Sequence, residues 1–303
     1  MSEKVFRVLV LGYGEMGHAM EHLLADKHKL SFWDCQAVGG LKPVDFGKAA
    51  RQSDFILFCI PASPHREMAV RLAPLLSPGC ICLSIAKGLD ERGYPAARTF
   101  SEVFGQRQPY GLLYGPMISE EIRAGRYGFA QLACSESRSL QEVFRLFAHT
   151  RLYIHHSTDV TGISWAVILK NVYAMSFGIA DELELGDNMR GFLAVQAVRE
   201  LDAIVQHMGG KAGTPYHLAG LGDLITTATS AGSHHHELGR RLARGQTENM
   251  SGEGIHTLEM VDKYRLFDDS AYPLYRLIRD IVKQPQGLPE KIHAYLESEF
   301  TPK

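Results

Sequence analysis

Lys170 stands in the run VILKNVYA, with Asn171 beside it and apolar residues on either side. Lysines are rarely buried without a partner or a task. Desolvation lowers the pKa of such an amine toward neutrality, which suits a group that donates a proton to a carbonyl oxygen. The same stretch also fits an amphipathic helix whose lysine snorkels to water. A second apolar-flanked lysine, Lys87 in SIAKGLD, ends a strand-like run, and in an open parallel sheet that end faces the ligand crevice. Asp223 in GLGDLI suits a carboxylate that orients a catalytic cation, and equally a helix N-cap.

A second chemistry is suggested by VLVLGYGEMGHAM, which sets Gly12, Gly14 and Gly17 between a strand-like and a helical run. In a G-x-G-x-x-G turn the first glycine permits the tight turn and the second lets the backbone approach a pyrophosphate. The third lets helix and strand pack closely, and the helix N-terminus faces the phosphates. Asp34 closes the next strand-like run, about 20 residues on, where a carboxylate holds the adenosine ribose hydroxyls. It also fits a strand-end turn. Such a carboxylate repels a 2′-phosphate, so NAD is favoured over NADP as cofactor.

The run GSHHHELGRR, with His234, His235 and His236 in succession, invites a metal. Consecutive residues splay over most of a helical turn, so the three rings do not converge as ligands four apart would, and no metal is expected. The run lies well inside the chain and leads into a helical pattern, unlike a purification tag. Ser233 reads as the N-cap of that helix.

These residues need elements to hold them. The 303 residues are 45% hydrophobic and 22% charged, enough for two cores. A formal net charge of -2 gives no electrostatic reason to expect nucleic acid or an acidic membrane. The opening MSEKVFRVLVLG is too short and too charged for a signal sequence, and no stretch reaches the roughly 18 apolar residues that span a bilayer. Five cysteines, Cys35, Cys59, Cys80, Cys82 and Cys134, are an odd number without a C-x-x-C. They read as buried reduced thiols of a cytoplasmic protein.

Short apolar runs, VFRVLVLG, KLSFWD, DFILFCIP, GCICLSIA, YGLLYG and GFAQLAC, alternate with helical patterns such as HAMEHLLADK and PHREMAVRLAPLLS. That alternation specifies an α/β, Rossmann-type, doubly wound and mostly parallel sheet. After the strand-like RLYIHHS the pattern turns to long helices, GISWAVILKNVYAMSFGIADELEL, MRGFLAVQAVRELDAIVQHMG and YPLYRLIRDIVK. We therefore expect a dinucleotide-binding domain over 1–157 and an all-α substrate domain over 158–303, with no internal repeat.

Taken in order, GYGEMG, AKGLD, GPMISEE, LKNVYAMSFGIAD, AGLGDLITT and the GEG around Glu253 resemble the bacterial type of NAD(P)-dependent glycerol-3-phosphate dehydrogenase over nearly the whole chain. The resemblance implies reversible reduction of dihydroxyacetone phosphate to sn-glycerol 3-phosphate, in glycerophospholipid metabolism, on a small-molecule substrate, and leaves a homodimer open. It makes Lys170 the general acid/base and adds Asp223 and Lys87 to the catalytic set. Gly115, Asn171, Thr227, Ser233, His234 and His235 fall on substrate-pocket positions, with Lys87, Lys170 and Asp223. Gly12, Gly14, Glu15, Met16, Gly17, Asp34, Lys87, Ser119 and Glu253 fall on the cofactor side. Hydride addition leaves negative charge on the ketone oxygen, and a positioned cationic lysine both stabilises and protonates it.

The chain departs from that pattern at particular places. Ser233-His234-His235-His236 stands where Ser-Arg-Asn-Arg is usual, so partly protonated imidazoles replace permanently charged forks. Met117 replaces a threonine, and Glu15 and Met16 replace a serine and an aromatic. An acidic residue near a pyrophosphate is unhelpful unless it turns outward. The segment between Asp34 and Asp54 is short, which opens the adenine side. Two other readings follow from these changes: a divergent dehydrogenase of a different keto compound, and a non-catalytic dinucleotide sensor.

Overall fold

A computed structural model of the chain describes residues 4–36, 44–230 and 232–301. The short segment expected to open the adenine side falls partly on 37–43, outside the described residues. Contacts divide the chain into two units, Met1–Ser164 and Trp165–Lys303.

In the first unit seven strands, β1 (Arg7–Leu11), β2 (Lys29–Trp33), β3 (Phe55–Phe58), β4 (Ile81–Ser84), β5 (Tyr110–Tyr114), β6 (Gly128–Cys134) and β7 (Leu152–His156), form one sheet. Its order is β2-β1-β3-β4-β5-β6-β7. All neighbours are parallel except β5 and β6. Helices α1 (Glu15–Leu24), α2 (Phe46–Gln52), α3 (His65–Leu72), α4 (Ala96–Phe104), α5 (Ser119–Arg123) and α6 (Ser137–Leu146) connect them. The inner strands β1, β3, β4 and β5 read as nearly unbroken apolar runs because both faces are buried, whereas the edge strands β2 and β7 are only partly covered. Val8, Val10, Phe55 and Leu57 pack on one side with Ala19 and Met20 of α1. Leu9, Leu11, Ile56 and Phe58 pack on the other with Phe46, Met68 and Phe100. The chain leaves β1 toward β2 on one side and later sets β3 on the other. The sheet therefore has a switch point at the carboxyl end of β1, where open α/β sheets bind ligands.

The second unit is helical. It holds most of α7 (Val160–Glu182), then α8 (Gly186–His207), α9 (Asp223–Thr229), α10 (His234–Ala243), α11 (Glu253–Tyr264), α12 (Pro273–Lys283) and α13 (Leu288–Phe300). Contrary to the expectation that no run is long and apolar enough to span a bilayer, α7 passes that test by length and composition. Its apolar window is nevertheless wholly buried in the protein, as befits a helix that is hydrophobic on all sides. Glu200 on α8 fastens three elements, its carboxyl accepting from the Leu274 and Tyr275 N–H groups at 2.6 and 2.8 Å and from the Tyr173 hydroxyl at 2.9 Å. Burial pushes that carboxyl up to about 7 despite the three donors. Cys80 and Cys82 are buried and Cys59 and Cys134 half-buried, but Cys35 is exposed. It follows the last residues of the edge strand β2, where one neighbour is missing.

Candidate active site

The glycine turn lies at the switch point. Gly12 has φ +87°, and a Cβ there would stand 2.6 Å from the Cys59 carbonyl oxygen, while one on Gly17 would stand 2.3 Å from that of Gly12. The turn and the packing of α1 therefore require these two glycines. Gly14 is different: a Cβ on it would meet nothing within 4 Å among the described residues. Nothing in the folded chain demands a glycine there, whereas a pyrophosphate laid against the N-terminus of α1 does.

Asp34 closes the turn from the end of β2. Its Oδ2 accepts from the Tyr13 N–H at 2.8 Å and its Oδ1 from the Gln36 N–H at 3.0 Å. Burial alone would raise this carboxyl, but the amides of Gln36, Tyr13 and Cys35 together hold it below its ordinary value. It is thus a turn-closing residue as well as a ribose candidate, and each ionised oxygen can accept more than one donor.

Glu15, at the start of α1, is directed to α5. Its Oε2 lies 3.2 Å from Arg123 and accepts from the Ser119 hydroxyl at 3.1 Å, which also approaches the Glu15 carbonyl at 2.6 Å. Met16 is half-buried against the core that contains Met117, so both departures from the usual residues have a packing role. At the carboxyl end of β4, the Lys87 ammonium donates to the Gly115 carbonyl at 3.0 Å. Gly115 has φ +154°, and a Cβ on it would meet the Phe129 carbonyl oxygen at 2.5 Å, so no side chain is tolerated there.

In the helical unit, Lys170 is 4% exposed and Asp223 2% exposed. Lys170 Nζ lies 3.1 Å from Asp223 Oδ2 and donates to the Thr227 hydroxyl oxygen. Asp223 and Thr227 are four apart on α9 and share a face. Thr227 commits its own proton to the Asp223 carbonyl at 2.7 Å, so its oxygen meets the ammonium as an acceptor. The N-cap reading of Asp223 gives way to this ion pair, for Asp223 lies inside α9 and its carboxylate faces Lys170. One turn of π-helix leads into α9, the Gly222 N–H donating to the His217 carbonyl five residues back. Such turns are frequent at functional sites. Asn171, 2% exposed, lies where its carbonyl oxygen would meet a Cβ on Gly254 at 2.8 Å.

The three histidines open α10, capped by Ser233, whose hydroxyl accepts the His236 N–H at 3.2 Å. They turn to three different partners. His234 Nε2 lies 2.7 Å from the Ser251 carbonyl oxygen and therefore carries a proton. His235 Nε2 accepts the Gly254 N–H at 3.2 Å and therefore carries none. His236 Nε2 lies 2.8 Å from Asp181, which also accepts from Arg190. The loop residue Ser251 thus rests on His234, and the first turn of α11, which Glu253 begins, rests on His235. Among the described residues no group of three His, Cys, Asp or Glu side chains is placed to hold a metal ion. Asp181, Ser251 and Arg123 had no signal in sequence, because each acts on a residue at least 17 positions away.

Comparison with known proteins bears on both units. Residues 159–292 match the family profile described as NAD-dependent glycerol-3-phosphate dehydrogenase C-terminus, and residues 41–140 match its N-terminus. The second match begins after the glycine turn, so the turn is read from its geometry. A glycerol-3-phosphate dehydrogenase [NAD(P)+] of Gloeobacter violaceus is 30% identical over 268 residues, 85% of this chain and 86% of that one. One from Synechocystis is 27% identical over 307 residues, 97% of this chain and 95% of its own. A crystal structure of glycerol-3-phosphate dehydrogenase from Coxiella burnetii superposes with a TM-score of 0.85 at 23% identity, covering 97% of this chain and 99% of that one.

Proposed function

This chain belongs to the NAD-dependent glycerol-3-phosphate dehydrogenase family, and we propose that it interconverts dihydroxyacetone phosphate and sn-glycerol 3-phosphate with Lys170 as general acid/base. The observation that carries the assignment of roles is the buried Lys170, held by Asp223 and Thr227. The nicotinamide cofactor, when bound, supplies or accepts the hydride. Lys170 gives its proton to the developing alkoxide in reduction and takes it back in oxidation, while Asp223 and Thr227 fix the ammonium in place. Asp223 also gives that buried cation a counter-charge. Lys87 is assigned to the anionic substrate, and the glycine turn with Gly14 to the cofactor's pyrophosphate. Loss of NADH absorbance on adding dihydroxyacetone phosphate is the test, and no turnover with either cofactor would sink the assignment.

NADH is the preferred donor in this reading, because a carboxylate held ionised at the end of β2 repels a 2′-phosphate. We expect kcat/KM for NADH to exceed that for NADPH by at least about tenfold, with Asp34→Ser narrowing the gap. A wild-type enzyme using NADPH equally well would refute the role of Asp34.

His234 is assigned to the substrate phosphate together with the N-terminus of α10. One ring nitrogen is committed to Ser251, so a proton must sit on the other for His234 to grip an anion, which requires the imidazolium. KM for dihydroxyacetone phosphate should then rise in His234→Ala and stay near or below the wild-type value in His234→Arg, whose charge is permanent. An unchanged KM in His234→Ala would instead implicate Arg240, whose Nε is buried without a hydrogen-bond partner among the described residues.

A further inference from the structure

The first turn of α1 carries a charge that works against a pyrophosphate. Glu15 follows Gly14 directly, and a carboxylate there, itself favoured by the helix N-terminus, offsets the positive field that terminus offers a bound anion, though only in part because its side chain is drawn toward α5. Two further carboxylates surround the turn: Asp34, bonded to the Tyr13 N–H, and Glu21, which accepts from the Tyr13 hydroxyl. The cation paired with Glu15 is Arg123, at 3.2 Å. Its field extends past Glu15: the Tyr13 hydroxyl, raised to about 12 chiefly by its bond to Glu21, is pulled the other way by Arg123.

We infer that Arg123 strengthens the hold of this glycine turn on a dinucleotide's pyrophosphate, by holding the Glu15 carboxylate outward and offsetting its charge. This rests on the reading of the turn as the cofactor's pyrophosphate seat. Ser119 assists by donating to both the carbonyl and the carboxylate of Glu15, so its part in cofactor binding is indirect. Arg123 and Glu15 have side chains 45% and 65% exposed, so water and salt screen the pair, and the effect on binding is moderate and dependent on ionic strength.

The experiment is titration of NADH by fluorescence, without substrate, at low and at physiological salt, repeated with ADP-ribose as competitor. Arg123→Gln should weaken binding of both about five- to tenfold at low salt and less at high salt, while Arg123→Lys keeps it within about twofold. Glu15→Gln should bind at least as tightly as wild type. The double variant Glu15→Gln/Arg123→Gln should return to within about twofold of wild type, because removing the carboxylate removes the need for its counter-charge. Wild-type affinity in Arg123→Gln would overturn the inference, as would a loss that persists undiminished in the double variant. A wild-type protein that binds neither NADH nor ADP-ribose would overturn the reading of the turn itself, and this inference with it.

Discussion

Lys170→Met is expected to bind NADH about as tightly as wild type and to turn over at least roughly a hundredfold more slowly, the usual scale for losing a general acid. On the proposed reading the proton that the ketone oxygen needs comes from the ammonium of α7 held against Asp223 and Thr227. Removing it also leaves the Asp223 carboxylate buried without its counter-charge, which typically costs about 3–5 kcal/mol. Stability and chemistry must therefore be read separately. Lys170→Met/Asp223→Asn removes both charges and should recover much of the thermal stability that Lys170→Met loses, while its turnover stays as low. Near-normal kcat in either folded variant would take Lys170 out of the mechanism.

The separation of those two effects mirrors what the sequence makes legible. The inner strands, buried on both faces, spell themselves as short apolar runs, the half-exposed edge strands β2 and β7 showed through aromatic and β-branched residues such as Phe32, Trp33, Tyr153 and Ile154, and Lys170 stood out because charge inside an apolar helix is conspicuous. The short helices α2, α5 and α9, of 7, 5 and 7 residues, hold too few turns for a period of 3.6 to show. Side-chain partners were less legible still. Glu15 could be seen as an unwelcome charge, but Arg123, which takes it up, lies 108 positions away. The histidine run reads as one feature in sequence and becomes three in space, since Ser251, Gly254 and Asp181 reach it from separate elements. The glycines that let α10 approach α7 were silent as well, because an isolated glycine within a helical pattern signals only a weaker helix.

Those glycines also carry a large expected effect on stability. A Cβ on Gly239 of α10 would stand 2.0 Å from the Met175 carbonyl oxygen, and one on Gly178 of α7 would stand 1.9 Å from that of His236. The helices therefore meet backbone to backbone, and the obstruction is a carbonyl that cannot swing aside. Alanine at either position must push the axes apart, and overpacking of this kind costs about 1–3 kcal/mol, occasionally more. With backbone on the receiving side we place Gly239→Ala at the upper end, about 3 kcal/mol, which in a protein of this size lowers Tm by roughly 5 °C. The site should feel the shift unevenly. Lys170, Asp223 and Thr227 hold one another across α7 and α9, whereas Ser233, His234 and His235 ride on α10. In surviving enzyme, KM for dihydroxyacetone phosphate should thus rise more than kcat falls. Gly178→Ala obstructs the same crossing from the other side, so helices already separated for one methyl have room for the second. Urea unfolding of both single variants and the double should give a combined loss smaller than the sum. Strict additivity, or a Gly239→Ala protein as stable as wild type, would mean that the two helices do not meet in this way.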